Sequence, residues 1–206
     1  MVGWRVTADV LFRHDGQQMT GSSLASQPET HCTLFDTDIG QCGLAWSPAG
    51  LTRVQLPEAN NAATEARLIR YGSMLWEADL PSDIAAYSSM LQRYCAGHRE
   101  DFASVVLDTS LLTSFDTRIY QELRSVVWGT TTSYGALADR IHAPGSARAV
   151  GAAMRSNPWP VIVPCHRVLP ATKEIGGFSA FGGAATKFAL LELEGVTLRE
   201  PSLWDE

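Results

Sequence analysis

The sequence contains few cysteines and no long apolar run. Its four cysteines among 206 residues show neither CxxC spacing nor the density of a disulfide-stabilised scaffold, so we expect free thiols in a reducing compartment. No apolar stretch is long enough to span a bilayer, and residues 1–30 lack the uninterrupted apolar segment of a signal peptide. These absences disfavour membrane and secreted proteins, and they predict a cytoplasmic protein without a membrane partner.

Positive charge is also scarce, but it is concentrated in one segment. The net charge of −6 disfavours a nucleic-acid partner. Residues 118–170 nevertheless contain six arginines, no lysine and only two acidic residues, Glu122 and Asp139. Guanidinium groups are planar and can both stack and form paired hydrogen bonds. The distribution is compatible with a local positive surface, although a block of this size also arises by chance.

The first half of the chain predicts a small domain that combines strands and helices. Residues 1–30 end in a polar stretch and are interpreted as an N-terminal extension. Two alternating runs, 42–46 and 51–56, flank a Ser-Pro-Ala-Gly turn and predict a β-hairpin. Residues 62–70 and 82–95 have helical spacing. The second helix has Ile84, Tyr87, Leu91 and Tyr94 on one apolar side, with Ser82 as N-cap and Gly97 as its stop. We therefore expect residues 31–115 to form an α/β domain with an antiparallel sheet.

The second half predicts a mostly helical domain over residues 116–200. Residues 107–117 are expected to connect the halves, and apolar residues at 115, 119, 123 and 126–127 predict a helix that ends before Gly129. Residues 130–141 predict a short helix with a Thr or Ser N-cap, and residues 143–157 predict another after a Pro-Gly turn. Two short helices joined by a glycine-containing turn form a helix-turn-helix unit. The fold class is therefore α+β.

The helix predicted within residues 143–157 has an unusual composition. Ala147, Ala149 and Gly151 make it thin, while Arg148 and Arg155 lie seven residues apart and therefore on one face. One interpretation is close packing against a neighbouring helix, with both arginines in solvent. The other is a slender basic face for a narrow channel such as the DNA minor groove, which is about 6 Å wide.

The run NPWPVIVPCHRV that follows predicts a rigid, non-helical platform. Its three prolines restrict the backbone and remove three hydrogen-bond donors, and Asn157 is able to bond the local backbone. The platform presents Cys165 beside His166. Two interpretations of this pair stay open: a buried cysteine next to a solvated histidine, and a nucleophilic thiol with its base. A zinc site is not expected, because the other cysteines and histidines lack ligand-like spacing.

The wider pattern resembles one known family. The segments SYGALADRI, ARAVGAAMRSNPWPVIVPCHRV, GGFSA and TKFALLELEG are similar to the O6-alkylguanine-DNA alkyltransferases, also called methylated-DNA–protein-cysteine methyltransferases. The resemblance covers about residues 116–195. The earlier stretch GQCGLAWSPAGLTRVQLPE is similar to the N-terminal domain of bacterial members, with weaker motifs. The resemblance implies a winged-helix-like arrangement of the helix-turn-helix domain.

The resemblance also implies a reaction. Members repair DNA by direct reversal: after base flipping, they transfer the alkyl group of O6-alkylguanine in duplex DNA irreversibly to the PCHR cysteine. By this resemblance Cys165 is the acceptor, His166 its base acting through a water, and Glu194 the group that orients His166. Asn157 supports the active-site turn, and Tyr134 assists departure of the guanine near N3. O4-alkylthymine is a further candidate lesion; no cofactor or metal is implied, and we expect a monomer.

Residues for DNA and for the lesion follow from the same resemblance. Arg148 is expected to fill the space of the extruded base, and Arg155 to contact phosphate. The remaining expected DNA contacts are Ala147, Ala149, Gly151 and Ser133, and the expected lesion contacts are Phe178, Ser179 and Val168.

Two features depart from the family pattern, and three other functions stay open. Trp128 stands where a smaller residue is frequent, and the loop GGFSAFGGAATK is longer than in the animal form. A non-catalytic lesion-binding relative would lack Cys165. A helix-turn-helix regulator with a sensing thiol would bind specific sequences, and a cysteine hydrolase would turn over esters or amides.

Overall fold

The computed structural model describes residues 30–74, 80–172 and 176–197. The interpretation of residues 1–30 as an extension, and the last three residues of the expected second domain, therefore lie almost wholly outside the described residues. Within these ranges no helix is long and apolar enough to cross a bilayer.

A four-stranded sheet organises the first half. Its strands are β1 (His31–Thr37), β2 (Gly40–Ser47), β3 (Gly50–Gln55) and β4 (Ser73–Met74), in the order β3-β2-β1-β4. The hairpin predicted from the alternating runs is confirmed as the antiparallel pair β2–β3. Gly40 and Gly50 have positive φ of 120° and 134°, a conformation that favours glycine at the two tight turns. The short strand β4 departs from the expected antiparallel pattern, because it pairs parallel to β1.

Two helices pack on this sheet. Helix α1 (Asn61–Leu68) is capped by the side chain of Asn60 and continues into a 3₁₀ turn at Ile69–Tyr71. Helix α2 (Ser82–Cys95) has the predicted bounds, and its apolar face is buried as expected: Ile84, Tyr87, Leu91 and Tyr94. The expected cap is wrong, because Pro81 occupies the N-cap position and Ser82 is the first helical residue.

The described residues of the second half form four more α-helices. They are α3 (Ser114–Leu123), α4 (Tyr134–Arg140), α5 (Ala147–Ser156) and α6 (Ala184–Leu193), together with a parallel pair of two-residue strands, β5 (Thr132–Ser133) and β6 (Val168–Leu169). The predicted pair of short helices is thus present as α4 and α5. Thr113 caps α3, so the connector expected over residues 107–117 ends earlier and the domain boundary expected at 115/116 lies inside this helix.

The two halves are joined where the first sheet meets the platform before Cys165. Strand β3 is an edge strand, and Val54 N donates a 2.9 Å hydrogen bond to Pro158 O. Trp159 Nε1 donates to Leu51 O at 2.8 Å, and the indole is buried. One apolar core runs through both halves. The sheet edge is therefore held against the segment that carries the cysteine.

A candidate active site around Cys165

Cys165 lies on a short, tightly held turn. It begins the 3₁₀ turn Cys165–Arg167 and is 3% exposed. Asn157 Nδ2 donates to Val163 O at 2.8 Å and approaches Cys165 Sγ at 3.1 Å, while its Oδ1 accepts from Trp159 N at 3.0 Å. The amide therefore bonds the local backbone, as the sequence predicted, and also contacts the sulfur. The buried Asn157 side chain therefore ties the thiol to the backbone on both sides of the turn.

Strain is stored just before this turn. Val161 has φ of 76°, which is an outlier for a β-branched residue. Its side chain is buried, and the flanking hydrogen bond from Val163 N to Trp159 O at 2.8 Å holds the backbone in place. Residues in such conformations cost about 1–3 kcal/mol and persist where the surrounding structure fixes them. The packed core thus holds the platform in one shape.

A buried hydrogen-bond network lies behind the cysteine. His166 Nε2 is 2.8 Å from Glu194 Oε1, and Arg167 donates to both carboxylate oxygens of Glu194 at 2.8 Å. Because a carboxylate only accepts, Nε2 carries the proton and Nδ1 is the basic nitrogen of His166. That Nδ1 is buried and has no hydrogen-bond partner among the described residues. Arg167 Nη1 also donates to Val126 O.

Tyr94, from the first half of the chain, completes this network. Its hydroxyl donates to Glu194 Oε1 at 2.7 Å and lies 3.3 Å from His166 Nε2. Trp128 packs edge-on against the ring at 5.3 Å, which explains what the unexpectedly large residue at position 128 does. Sequence reasoning placed Tyr94 on the apolar face of α2 and assigned it no role. The sequence signal that could have pointed to Tyr94 is its hydroxyl on an apolar helix face, because a buried tyrosine hydroxyl needs a hydrogen-bond partner.

The environment sets the resting protonation states. Burial raises the pKa of the Cys165 thiol, although Asn157 and the nearby Lys187 oppose the rise. Burial lowers the pKa of His166, against the opposing effect of Glu194. For Glu194, burial alone would raise the pKa, but hydrogen bonds from His166 and Arg167 outweigh it and hold the value at about 2. The resting site is therefore a neutral thiol, a neutral imidazole and an ionised carboxylate.

Lys187 is a second residue that the sequence did not single out. Its side chain is buried on α6, and Nζ donates to Val168 O at 2.7 Å. Burial lowers the pKa of Lys187, while its attraction to a Cys165 thiolate acts in the opposite direction. Val168, expected to contact the lesion, is fully buried, and its carbonyl is the group that holds Lys187.

One face of α5 is open and thin. Val150, Ala153 and Met154 are buried, whereas Arg148 and Arg155 lie exposed on the other side. Close packing therefore uses one side of the helix and leaves the alanine-rich basic side free. A groove of about 600 Å³ runs along it and brings together most of the expected DNA and lesion residues: Ala147, Arg148, Gly151, Arg155, Phe178 and Ser179. Tyr134, expected to assist the leaving guanine, and Gly177, which the sequence did not single out, also line it.

The other expected contacts lie around this groove. Ala149 is exposed on α5. Ser133 is the N-cap of α4, where its hydroxyl accepts from Ala136 N at 3.0 Å. Burial raises the pKa of Tyr134, and the nearby Cys165 adds to this rise. The phenol is therefore protonated near neutral pH and able to donate.

Comparisons with known proteins agree with this geometry. Residues 114–196 match the family model described as 6-O-methylguanine DNA methyltransferase, DNA binding domain. The chain is 37% identical to a methylated-DNA–protein-cysteine methyltransferase of Mycobacterium leprae over 80% of this chain and 92% of that protein. It is 43% identical to a DNA base-flipping protein of Thermus thermophilus over 52% of this chain and 69% of that one. The crystal structure of Mycobacterium tuberculosis OGT in complex with DNA superposes with a TM-score of 0.63 at 35% identity, covering 80% of this chain and 92% of that chain.

Proposed function

The chain belongs to the methylated-DNA–protein-cysteine methyltransferase family, and we propose that it repairs O6-alkylguanine in duplex DNA by transferring the alkyl group to Cys165. One observation carries the proposal: a rigidly held thiol beside a buried His166–Glu194 pair, next to a groove lined by the thin basic face of α5. Cys165, Phe178 and Ser179 line a common cavity, and the last two also line the groove. A base that enters the groove therefore has access to the sulfur.

The reaction follows from the order of the groups. His166 Nδ1 takes the thiol proton through a water, and the sulfur attacks the carbon attached to O6. The S–C bond forms as the C–O6 bond breaks, and the electron pair leaves with the guanine, which Tyr134 assists by donating a proton near N3. The product is a thioether on Cys165, and we propose that the transfer is irreversible. One protein molecule is therefore consumed for each lesion.

Positioning of the Cys165 thiol contributes more to the rate of alkyl transfer than its ionisation does. An ordinary thiol with a pKa of about 8.5 is a few per cent ionised near neutrality, so full ionisation would accelerate attack at most roughly thirtyfold. The raised pKa of Cys165 makes the resting ionised fraction smaller still, so His166 is required as a base. Holding the reacting atoms in line contributes on the order of 7–11 kcal/mol. The bonds from Asn157 and the strained backbone at Val161 support that role.

The lesion has to leave the duplex to reach the thiol. Flipping a nucleotide costs a few kcal/mol, and we propose that Arg148 offsets this cost by occupying the vacated space. The exposed alanine-rich face of α5 supports entry of this helix into the minor groove, where larger side chains would clash. Arg155 is proposed to contact a phosphate. We also propose a cytoplasmic location, since all four cysteines are free thiols.

The direct test is the mass of the intact protein after incubation with excess duplex containing one O6-methylguanine. We expect one added methyl group, located on Cys165 by peptide mapping and saturating at one equivalent. Cys165→Ala should abolish the increase and retain duplex binding, whereas Cys32→Ala, which removes another buried thiol, should leave transfer intact. An unchanged mass from folded protein that still binds the lesion would reject transfer and favour a lesion sensor. Turnover of an ester or amide would favour a hydrolase.

A further inference from the structure

The cavity that Cys165 shares with Phe178 and Ser179 extends to the first sheet. Its volume is about 200 Å³, and it is bounded on one side by Asn157, Pro160 and Cys165 and on the other by residues of β3 and α1. The 2.9 Å bond from Val54 N to Pro158 O fixes the distance between these walls. A cavity of about 150 Å³ is enough to hold benzene. The space is therefore larger than a methyl group on the reacting carbon requires.

The lining of this cavity is polar and positively charged. Three arginines line the cavity, Arg53, Arg67 and Arg155, against one carboxylate, Glu58. Glu58 is already paired, since Arg67 lies 2.9 Å from it and Gln55 Nε2 donates to it at 3.0 Å. Glu58 also attracts the charge of Arg53, but its 2.9 Å ion pair is with Arg67, so Arg53 keeps the capacity to bind a further anion.

Arg53 is arranged to receive an acceptor. Its guanidinium carbon lies 4.1 Å above the centre of the Tyr71 ring, a contact that uses the flat face of the group and leaves its N–H bonds in the plane. Arg53 Nε is buried without a hydrogen-bond partner among the described residues. Gln55 Oε1 on the same wall is likewise buried and unpartnered, and that residue is only 5% exposed. Two unpartnered polar atoms favour a polar occupant over hydrocarbon.

We propose that Arg53 makes part of this cavity a carboxylate subsite, which selects O6-alkyl groups that end in a carboxylate. The inference rests on the proposed function. In the transfer, sulfur bonds to the carbon attached to O6 and guanine leaves with the electron pair of the C–O6 bond and a proton. The carboxylate takes no part in bond making and stays against Arg53 in the S-carboxyalkylcysteine product. A phosphate of the bound duplex offers the same anionic oxygen, so the test has to separate the two sources.

The test compares rate constants for transfer from matched lesions in one duplex sequence. The O6 substituent is carboxymethyl or 3-carboxypropyl, each paired with the neutral carbamoyl group of the same length, and O6-methylguanine is the reference. For at least one length, we expect Arg53→Gln to lower the carboxyl-to-carbamoyl rate ratio about tenfold, the size of a lost charge-assisted hydrogen bond. Arg53→Lys should restore part of the ratio. Arg99→Gln, an exposed arginine that does not line the cavity, should leave it unchanged.

The outcomes separate the possible sources and the two proposals. If Arg53→Gln lowered the rate constants for charged and neutral lesions equally, Arg53 would be assigned to a DNA phosphate and the subsite would be overturned. Unchanged ratios at both lengths, with methyl transfer intact, would also overturn it without affecting the proposed function. If neither the parent protein nor any variant transferred the methyl group of O6-methylguanine, the proposed function itself would be wrong.

Discussion

Tyr94→Phe tests whether the first half of the chain takes part in the chemistry. The substitution removes one hydroxyl and keeps the ring that packs against Trp128. The hydroxyl donates to Glu194 Oε1 at 2.7 Å, and that carboxylate also accepts from His166 and Arg167. Tyr87→Phe is the matched control, because it deletes a hydroxyl from the same helix that accepts from Val106 N, at 3.3 Å.

The structure sets the size and pH dependence of the stability change. A hydrogen bond to a charged group contributes about 1.5–3 kcal/mol, and the remaining donors to Glu194 favour the lower end, so we expect a loss of about 1.5–2 kcal/mol in the free energy of unfolding. The bond favours the ionised carboxylate, whose pKa of about 2 lies below its ordinary value of 4.5. The loss should therefore be complete at neutral pH and shrink as the pH falls from about 4.5 towards 2. Urea denaturation at several pH values measures it.

The catalytic readout is the pH profile of alkyl transfer. Without the Tyr94 hydroxyl, Glu194 attracts the His166 proton more strongly, which raises the pKa of His166 and shifts the acid limb of the rate profile to higher pH. Looser positioning of the imidazole should also lower the rate constant at the optimum about three- to tenfold. A purely structural tyrosine would change stability and leave the profile in place.

The measurement is the rate constant for single-turnover transfer from free O6-benzylguanine, determined from the intact protein mass between pH 5 and 9. The pH profiles of the parent protein, Tyr94→Phe and Tyr87→Phe are then compared. The reasoning is refuted if Tyr94→Phe and Tyr87→Phe show the same rate constants and the same acid limb. It is also refuted if the limb moves to lower pH, because that would mean that the hydroxyl raises the pKa of His166.

Two further substitutions test other parts of the site. Arg148→Ala should slow repair of O6-methylguanine in duplex DNA at least about tenfold while sparing free O6-benzylguanine, since only the duplex requires flipping; equal losses on both substrates would contradict this division. Arg167→Met leaves Glu194 buried without its arginine, and breaking such a pair costs about 3–5 kcal/mol. Urea denaturation checks the second expectation, and a loss below about 1 kcal/mol would show that the pair contributes little.

Local patterns predicted the parts of the fold that depend on near neighbours. The hairpin β2–β3, the bounds of α2 and the pair α4–α5 follow from alternation, helical spacing and turn residues. The end of α3 shows the limit of this reasoning, since apolar spacing extends to residue 127 and the helix ends at Leu123. Just beyond it, Arg124 Nη2 donates to the carbonyls of Phe102, Ala103 and Val105. These contacts come from a distant loop, and no local pattern contains them.

The sequence by itself determined that Cys165 and His166, the proposed nucleophile and base, are covalent neighbours behind a proline-rich platform. It also placed Arg148 and Arg155 on one helix face through their spacing. Only the tertiary structure decided which groups surround them. Tyr94 meets Glu194 across 100 residues, and β3 brings Arg53 to the cavity beside Cys165. Side chains so far apart in the chain meet through the packing of whole elements around a shared core, whereas periodicity and propensity describe only interactions within an element or a turn.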